Sequence, residues 1–281
     1  MTDDDADAPG DDAHRDPWDL DAGTVEHYEN AVLYDHEYRR RRADVNHYRR
    51  VATDRRSDGP VLELGCGSGR VLLPLAKDGH TVIGLDASRA MLRRARERQA
   101  ALGRASRSRV HLVQGDMRTF AFRARFPLVL CPFNAFQHLY TRVDALACLE
   151  RVREQLVPGG VFAFDVLLPD MQWLMKSDKR RWSRTRFRHP TTGGRVEYST
   201  NHTYDAVTQI SFIRIYYETL DVPAAEKRTD VVRLAQKQYF PVELETLLHV
   251  AGFRIAARHG GFEGEPFDGL SESQVLLCEA R

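Results

Sequence analysis

The sequence lacks the features that would place it in a membrane, in a secreted disulfide framework or at a zinc site. No apolar stretch approaches the roughly 20 residues that span a bilayer, and aspartates follow Met1 where a secretory signal would be basic and then apolar. The 4 cysteines, Cys66, Cys131, Cys148 and Cys278, include no C-x-x-C pair. We therefore expect a cytoplasmic protein with reduced cysteines, no metal and no membrane partner.

The chain also lacks an excess of charge of either sign. Its 281 residues carry 41 Lys+Arg and 40 Asp+Glu, a formal net charge of +1, which gives no long-range attraction to nucleic acid. One segment nevertheless interleaves basic with aromatic residues: Lys176, Lys179, Arg180, Arg181, Arg184, Arg186, Arg188 and Arg195 with Trp173, Trp182 and Phe187. It fits a solvated basic face, a site for a small anionic or nucleotide-linked ligand, or, with the least support, an RNA-binding surface.

Three alternating glycines, Gly65, Gly67 and Gly69, follow a short apolar run. A nucleoside at the carboxyl end of a strand must approach the backbone closely, and a Cβ at that turn would block it. Asp86 ends the next apolar run, where a carboxylate can accept hydrogen bonds from ribose hydroxyls. The pattern predicts a nucleotide-binding strand, turn and helix. Its third glycine comes two residues after the second, whereas the fingerprint of nicotinamide-dependent oxidoreductases needs three.

Short apolar runs alternate with segments of helical periodicity after residue 60. We predict strands at 61–64, 81–85, 110–114, about 127–131 and 161–166, and helices at about 69–78, 88–101 and 142–156. Such alternation indicates an α/β fold, a Rossmann-like doubly wound parallel sheet with helices on both faces. Ser88 and Thr141 are suited to cap the second and third of these helices, and Pro74 is expected in the first turns of its helix.

The pattern changes to period-two alternation after the fifth strand. Runs at 195–204, 209–217 and 231–240 predict an antiparallel, β-rich insertion. A helix at about 241–251 and strands near 253–259 and 274–280 then complete the main sheet. Because ligands of open α/β sheets bind outside the carboxyl ends of the strands, the insertion should cover the substrate.

The predicted organisation has four parts. They are a disordered acidic tail at 1–16, a helical cap at 17–56, a cofactor-binding domain at 57–166 and 241–281, and a substrate cap at 167–240. Apolar residues on both faces of the insertion favour pairing across a two-fold axis, so a homodimer is expected.

The chain resembles the class I S-adenosylmethionine-dependent methyltransferases in four motifs that follow the family's order. They lie at residues 63–69, 84–86, 115–117 and 156–160. This resemblance covers roughly residues 60–166 and implies S-adenosylmethionine as the cofactor. Residues 33–35 and 131–139 are similar to segments of small-molecule N-methyltransferases of the amino-sugar type, in a group that includes glycine and sarcosine N-methyltransferases.

The resemblance also implies a set of cofactor contacts. They are Glu63, Gly65, Cys66, Gly67, Gly69, Asp86, Ala87, Met91, Asp116, Met117 and Cys131. In this set the glycines approach the methionine part, Asp86 holds the ribose, and Asp116 with the backbone of Met117 reads the adenine. Asp86 as a helix cap and Asp116 as a plain strand end are the alternatives.

His138 and Tyr34 are the predicted catalytic residues. His138 is expected to be a base or proton acceptor, because imidazole titrates near working pH, and Tyr34 a second polar contact to the acceptor. The alternatives are a packed, hydrogen-bonded His138 and a Tyr34 that only packs its helix.

These residues predict an enzyme, a methyltransferase that acts on an amine of a sugar or an amino acid. The accepting atom does not follow from the fold, so O- and C-methylation of a small metabolite stay open. A nicotinamide-dependent oxidoreductase and a cofactor-binding partner without catalysis are the other classes considered.

Overall fold

A computed structural model describes residues 20–55 and 59–281. The acidic tail expected at residues 1–16 lies outside the described residues. Within the described part, no helix is both long and apolar enough to cross a membrane, and no group of three or more His, Cys, Asp or Glu side chains is placed to hold a metal ion.

The main sheet has seven strands. They are β1 (Val61–Leu64), β2 (Val82–Asp86), β3 (Val110–Gln114), β4 (Phe126–Cys131), β5 (Leu156–Leu167), β10 (Phe253–His259) and β11 (Ser273–Ala280), in the order β10-β11-β5-β4-β1-β2-β3. Strands β1 to β5 are parallel, and β11 is antiparallel to both of its neighbours. The Rossmann-like sheet predicted from the sequence is confirmed.

Helices cover both faces of this sheet. They are α1 (Leu20–Glu29), α2 (Ala31–Tyr38), α3 (Ala43–Asp54), α4 (Leu72–Lys77), α5 (Arg89–Ala100), α6 (Arg104–Arg107), α7 (Arg142–Gln155), α8 (Met171–Leu174) and α9 (Pro241–Val250), with 3-10 turns at Ala135–His138 and Ala224–Glu226. Ser88 and Thr141 accept from the amides of Met91 and Asp144, so both predicted caps are confirmed. The fourth helix begins later than predicted, because the glycine turn continues beyond residue 69.

The alternating side chains of β4 show how the sheet separates two cores. Leu128 and Leu130 pack with residues of α3 and α4, whereas Val129 and Cys131 pack with residues of α7 and α9. Burying one such leucine contributes about 1.5–3 kcal/mol. The two cores hold the carboxyl ends of β1 to β4 in a fixed arrangement, on which the site depends.

The insertion forms a second, antiparallel sheet, called here the cap sheet. Its strands are β6 (Trp182–Arg188), β7 (Arg195–Asp205), β8 (Ile210–Thr219) and β9 (Thr229–Lys237), paired in that order. One face packs on Leu33 of α2 through Val196, Ile213, Ile215, Tyr217 and Leu234. Strand β6 was not predicted, because this exposed edge strand carries basic residues and a register shift instead of apolar alternation.

Several cations of the basic segment have partners within the cap sheet. Arg186 donates to Glu197 at 2.8 Å, and Arg181 lies 2.9 Å from Glu218. The Arg181 guanidinium also lies 3.9 Å from the ring centroid of Tyr216. These contacts favour the solvated-face interpretation for this part of the segment.

Candidate active site

A cavity of about 710 Å³ lies at the carboxyl ends of β1 to β4. Its wall contains the glycine turn after β1, Asp86 at the end of β2, residues 115–117 after β3, and Phe133 after β4. Helices α1 and α2 contribute Tyr28 and Tyr34 from the other side. The volume is in the range of small-molecule and cofactor pockets.

Most of the predicted contact residues line this cavity. Those in its wall are Tyr34, Gly65, Gly67, Asp86, Ala87, Met91, Asp116, Met117 and His138. Four others, Glu63, Cys66, Gly69 and Cys131, are not part of the wall. Direct cofactor contact by any of these residues stays a prediction.

Two of the three glycines border the cavity. Gly65 and Gly67 have φ values of +63° and +53°, a left-handed conformation that other residues rarely adopt. A Cβ on Gly65 would lie 2.7 Å from the Cβ of Ala135. Gly69 instead allows close packing against α4, because a Cβ added there would lie 2.9 Å from the side chain of Leu73.

The carboxylate of Asp86 joins the glycine turn to the next helix. Its oxygens accept from the amides of Gly67 and Ser88, each at 2.7 Å. Burial raises its pKa, and the two backbone donors lower it in part. Because a carboxylate offers about four acceptor sites, two bonds leave room for ribose hydroxyls. Asp86 therefore helps to fix the start of α5, and its ribose role stays a prediction.

Asp116 already has a partner. Arg118 donates to its carboxylate at 2.6 Å and reaches Asp144 at 2.9 Å. The Arg118 guanidinium holds the pKa of Asp116 below its usual value. Reading of adenine by Asp116 stays a prediction, and the sequence showed no signal for its competition with Arg118.

The cavity has features that fit S-adenosylmethionine. Two wall glycines leave space that a Cβ would fill, and the Asp86 carboxylate accepts from backbone amides of the turn and of α5. Glu63, below the turn, is 2% exposed, and its Oε2 has no hydrogen-bond partner among the described residues. Burial raises the pKa of Glu63 well above its usual value, so the narrow turn and the carboxylate of Asp86 are the features that suit ribose hydroxyls.

An aromatic cluster borders the same cavity. It consists of Tyr28, Tyr34, Tyr38, Phe133 and His138, with ring centroids of neighbouring members 4.7–6.5 Å apart. The faces of such rings attract cations, including a sulfonium or an ammonium group. The sequence analysis assigned no site role to Tyr28, Tyr38 or Phe133, because their convergence depends on tertiary contacts.

His138 has hydrogen-bond partners at both ring nitrogens. Nε2 lies 2.6 Å from the hydroxyl of Tyr28, and Nδ1 lies 3.2 Å from that of Tyr140. Burial lowers the pKa of His138 to about 4. The imidazole is therefore neutral at working pH, with one donating and one accepting nitrogen.

The hydrogen bonds of Thr24 and Tyr140 indicate which ring nitrogen of His138 donates. The hydroxyl of Thr24 donates to the carbonyl of Leu20 at 2.7 Å. Tyr140 has a single proton for Thr24 Oγ1 at 2.7 Å or the carbonyl of Ala235 at 3.2 Å. With the proton of Tyr140 directed to one of these oxygens, His138 Nδ1 donates to Tyr140. Its Nε2 consequently accepts from the hydroxyl of Tyr28.

Tyr34 differs from His138 in having an available polar group. Its ring is 9% exposed, and its hydroxyl forms no hydrogen bond with any other described residue. Burial raises its pKa, so the hydroxyl keeps its proton at neutral pH. Tyr34 can therefore offer a donor and an acceptor to a ligand, whereas the hydrogen-bonded alternative is favoured for His138.

A buried carboxylate supports the loop that carries Phe133. Asp165 accepts from the hydroxyl of Tyr48 at 2.5 Å and from the amides of Phe133 and Asn134 at 2.8 and 3.1 Å. Both loop residues have positive φ, at 57° and 61°, so these bonds hold a strained turn. Burial raises the pKa of Asp165 to about 6. An acid inside an apolar strand was the sequence signal for this role, and the sequence analysis did not use it.

Comparison with known proteins agrees with the geometry. Residues 61–160 match a family model described as a methyltransferase domain. A cypemycin N-terminal methyltransferase from Streptomyces sp is 26% identical over 230 residues, which cover 82% of this chain and 86% of that protein. A dTDP-3-amino-3,4,6-trideoxy-alpha-D-glucopyranose N,N-dimethyltransferase from Streptomyces venezuelae is 26% identical over 206 residues, 73% of this chain and 79% of its own.

A solved structure shows the same fold with the cofactor bound. It is CalS10 from Micromonospora echinaspora, an amino pentose methyltransferase with S-adenosylmethionine, at a TM-score of 0.67 and 22% identity over 89% of this chain and 97% of that chain. The family match, the fold and the cavity at the carboxyl edge of the sheet lead to one assignment. Residues 61–160 form a methyltransferase domain, and the chain is an S-adenosylmethionine-dependent methyltransferase.

Proposed function

We propose that the protein N-methylates an amine of a small molecule, such as an amino sugar or an amino acid. The observation that carries the proposal is the meeting of the aromatic cluster and the free hydroxyl of Tyr34 in the wall of the cofactor cavity. Two relatives that align over most of the chain are named as methyltransferases of nitrogen acceptors, which supports the same acceptor atom.

The residues contribute mainly by alignment. S-adenosylmethionine supplies a methyl group on a sulfonium, and displacement from such a centre depends on the position of the nucleophile. Tyr34 holds the acceptor nitrogen by a hydrogen bond. Tyr28 and Phe133 exclude water, and the neutral His138 fixes the hydroxyl of Tyr28.

The role of His138 in proton transfer remains a prediction, and we restrict it to an indirect role. Its pKa of about 4 makes the imidazole a poor proton acceptor at neutral pH. Its accepting nitrogen already receives the proton of Tyr28. We therefore propose that His138 acts on the acceptor through Tyr28.

Methyl transfer from labelled cofactor tests the proposal. The purified protein is incubated with primary and secondary amines, including amino sugars and amino acids, and with the matching alcohols and thiols. Labelled product is expected only with the amines. Transfer to alcohols alone would replace N-methylation by the O-methylation alternative, and transfer to thiols alone would also overturn the proposal.

Other expectations from the sequence remain part of the proposal. They are the cytoplasmic location, the anionic or nucleotide-linked character of the acceptor, the homodimer and the domain division at 17–56, 57–166, 167–240 and 241–281. Strand β6 is an exposed edge of the cap sheet, which offers a strand for pairing between two copies. Sedimentation equilibrium measures the dimer directly, and a mass of 32.1 kDa at all concentrations would exclude it.

A further inference from the structure

A glutamate without a basic partner lies between α2 and the cap sheet. Glu37 is half-buried on α2, and its carboxylate accepts from the hydroxyl of Tyr217 on β8 at 2.6 Å. Among the described residues, no Lys, Arg or His nitrogen lies within 4 Å of this carboxylate. Arg41, one of the four arginines at 39–42 that follow α2, is exposed. It lies over the rings of Tyr38 and Phe133, 5.9 and 5.7 Å from their centroids.

The surroundings of Glu37 make its charge costly for the fold. Leu33, one turn earlier on α2, packs on Val196 and Ile215 of the same sheet face. A carboxylate taken from water into such a place loses hydration that one hydroxyl does not replace. An apolar residue would fill this position at lower cost. The position therefore calls for a function that needs the charge.

Aromatic rings lie both beside Glu37 and beside the cavity. Tyr198 and Tyr217 on the cap sheet have ring centroids 5.8 Å apart. On the cavity side, the Tyr38 ring lies 4.7 Å from that of Tyr34 and 4.9 Å from that of Phe133. Both Tyr34 and Phe133 belong to the cavity wall. A carboxylate among tyrosine rings is the chemistry that recognises an organic ammonium group.

We propose that Glu37, with Tyr38, Tyr198 and Tyr217, forms the entry subsite for the acceptor and binds it as an aliphatic ammonium cation beside the cofactor cavity. This inference rests on the proposed N-methylation, because it takes the acceptor to be an amine. It adds the residue that selects the charge of the acceptor.

Calorimetric titration with a charged and a neutral probe tests the subsite. The protein, saturated with S-adenosylhomocysteine at pH 8, is titrated with cyclohexylammonium chloride and with cyclohexanol, which has the same ring without the charge. The wild type should bind the cation at least about tenfold more tightly, a difference of about 1.4 kcal/mol. Equal affinity for the two probes would overturn the proposal.

The variant Glu37→Gln removes the charge and keeps the shape and an acceptor for Tyr217. It should bind both probes equally and bind S-adenosylhomocysteine as the wild type does. The matched control Glu150→Gln changes an exposed glutamate of α7 and should keep the preference. Persistence of the preference in Glu37→Gln would also overturn the proposal.

A second variant separates charge from structural support. Tyr217→Phe removes the hydrogen bond and leaves the carboxylate, so the preference for the cation should persist. If Tyr217→Phe loses the preference as completely as Glu37→Gln does, the contact between α2 and β8 is only structural, and the subsite is refuted.

The outcomes also separate this inference from the function on which it rests. If the wild type methylates no amine, N-methylation itself fails. If it methylates amines and Glu37→Gln still prefers the cation, only the entry subsite fails.

Discussion

His138 illustrates how burial changes the chemistry of a single residue. An exposed imidazole titrates near pH 6.5, whereas His138 has a pKa of about 4, and so does His27, which contacts Tyr28 and Tyr34. Both rings are held neutral because burial penalises their charged forms. The residues around the cavity therefore offer neutral hydrogen-bonding groups and aromatic faces to a cationic cofactor.

Histidine NMR tests the neutral state of His138 directly. With ¹³C-labelled histidine, the ring signal of His138, identified by its absence in His138→Gln, should stay constant from pH 8 to about pH 5.5, because its pKa is about 4. A midpoint near pH 6.5 for His138 would contradict this assignment.

Removal of the His138 ring is expected to reduce turnover and spare cofactor binding. His138→Ala leaves the hydroxyl of Tyr28 without its partner, whereas Tyr140 keeps Thr24 and Ala235. Loss of the bond that orients Tyr28 should lower the rate roughly tenfold or more. Initial rates and calorimetry with S-adenosylhomocysteine measure the two effects. If this variant turns over at the parental rate, His138 has no role in the reaction.

Asp86 is expected to control cofactor affinity. Asp86→Ala removes the acceptor for the amides of Gly67 and Ser88 together with the predicted ribose contact. Hydrogen bonds to a charged group contribute about 1.5–3 kcal/mol each, so affinity for S-adenosylhomocysteine should fall at least about tenfold to a hundredfold. Asp86→Asn, which keeps one oxygen, should lose less. Unchanged calorimetric affinity in Asp86→Ala would exclude the ribose role.

Glu37 should make stability depend on pH in a defined direction. Burial raises its pKa to about 7 from 4.5, although the bond from Tyr217 lowers it in part. A raised pKa favours the folded state below pH 4.5, and this contribution is lost as pH rises through 7. Glu37→Gln should therefore gain stability over the wild type as pH rises from 4.5 to 7, by up to about 3 kcal/mol.

Urea unfolding at several pH values measures this difference. The other ionisable groups around Glu37 are Tyr38, Tyr198, Tyr217 and Arg41. Burial raises the pKa values of the three tyrosines, so they do not titrate in the tested range. A pH-independent difference between the two proteins would show that Glu37 is not titrating in the folded state.

Helix α1 is the element whose position decides the shape of the cavity. Asp21, Thr24, Val25, Tyr28 and Glu29 line the cavity from this one helix. Another face of α1 contacts the cap sheet. There the backbone amide of Arg233 in β9 donates to the side chain of Glu26 at 2.8 Å. The helix therefore couples the cofactor cavity to the cap.

A substitution at Gly23 tests this coupling. A Cβ on Gly23 would lie 2.8 Å from the Cβ of Ala235 in β9, so Gly23→Leu should displace α1 from the cap sheet. Affinity for S-adenosylhomocysteine should fall by about tenfold, through the loss of contacts along one helix face. Gly103→Leu is the matched control, because a Cβ there meets nothing within 4 Å. Parental affinity in Gly23→Leu would show that α1 is not needed over the cofactor.

At the scale of the whole molecule, the cofactor should stabilise the fold by mass action. S-adenosylhomocysteine at about 100 times its dissociation constant adds about 2.7 kcal/mol. This corresponds to a rise in melting temperature of about 5–10 °C. NAD⁺ should leave the melting temperature unchanged, because the glycine spacing differs from that of dinucleotide sites. Stabilisation by NAD⁺ alone would favour the oxidoreductase alternative.

Local patterns were enough to predict the main sheet and the position of its binding edge. The strands that end near Gly65 and at Asp86 are short apolar runs, and their length and flanking turn residues distinguish them from the helices. Ser88 and Thr141 also act locally, within one turn of their helices. Strand β6 was missed because an exposed edge strand needs no apolar face.

The amino-acid sequence by itself determined the sheet, the glycine turn and the acid at the end of β2, because these depend on neighbours within a few residues. Tertiary structure alone decided that His138 meets Tyr28 across 110 positions of the chain and that Glu37 meets Tyr217 across 180. Burial then set their pKa values, and burial is a property of the packed molecule. No local pattern records which distant side chains will exclude water from a given residue.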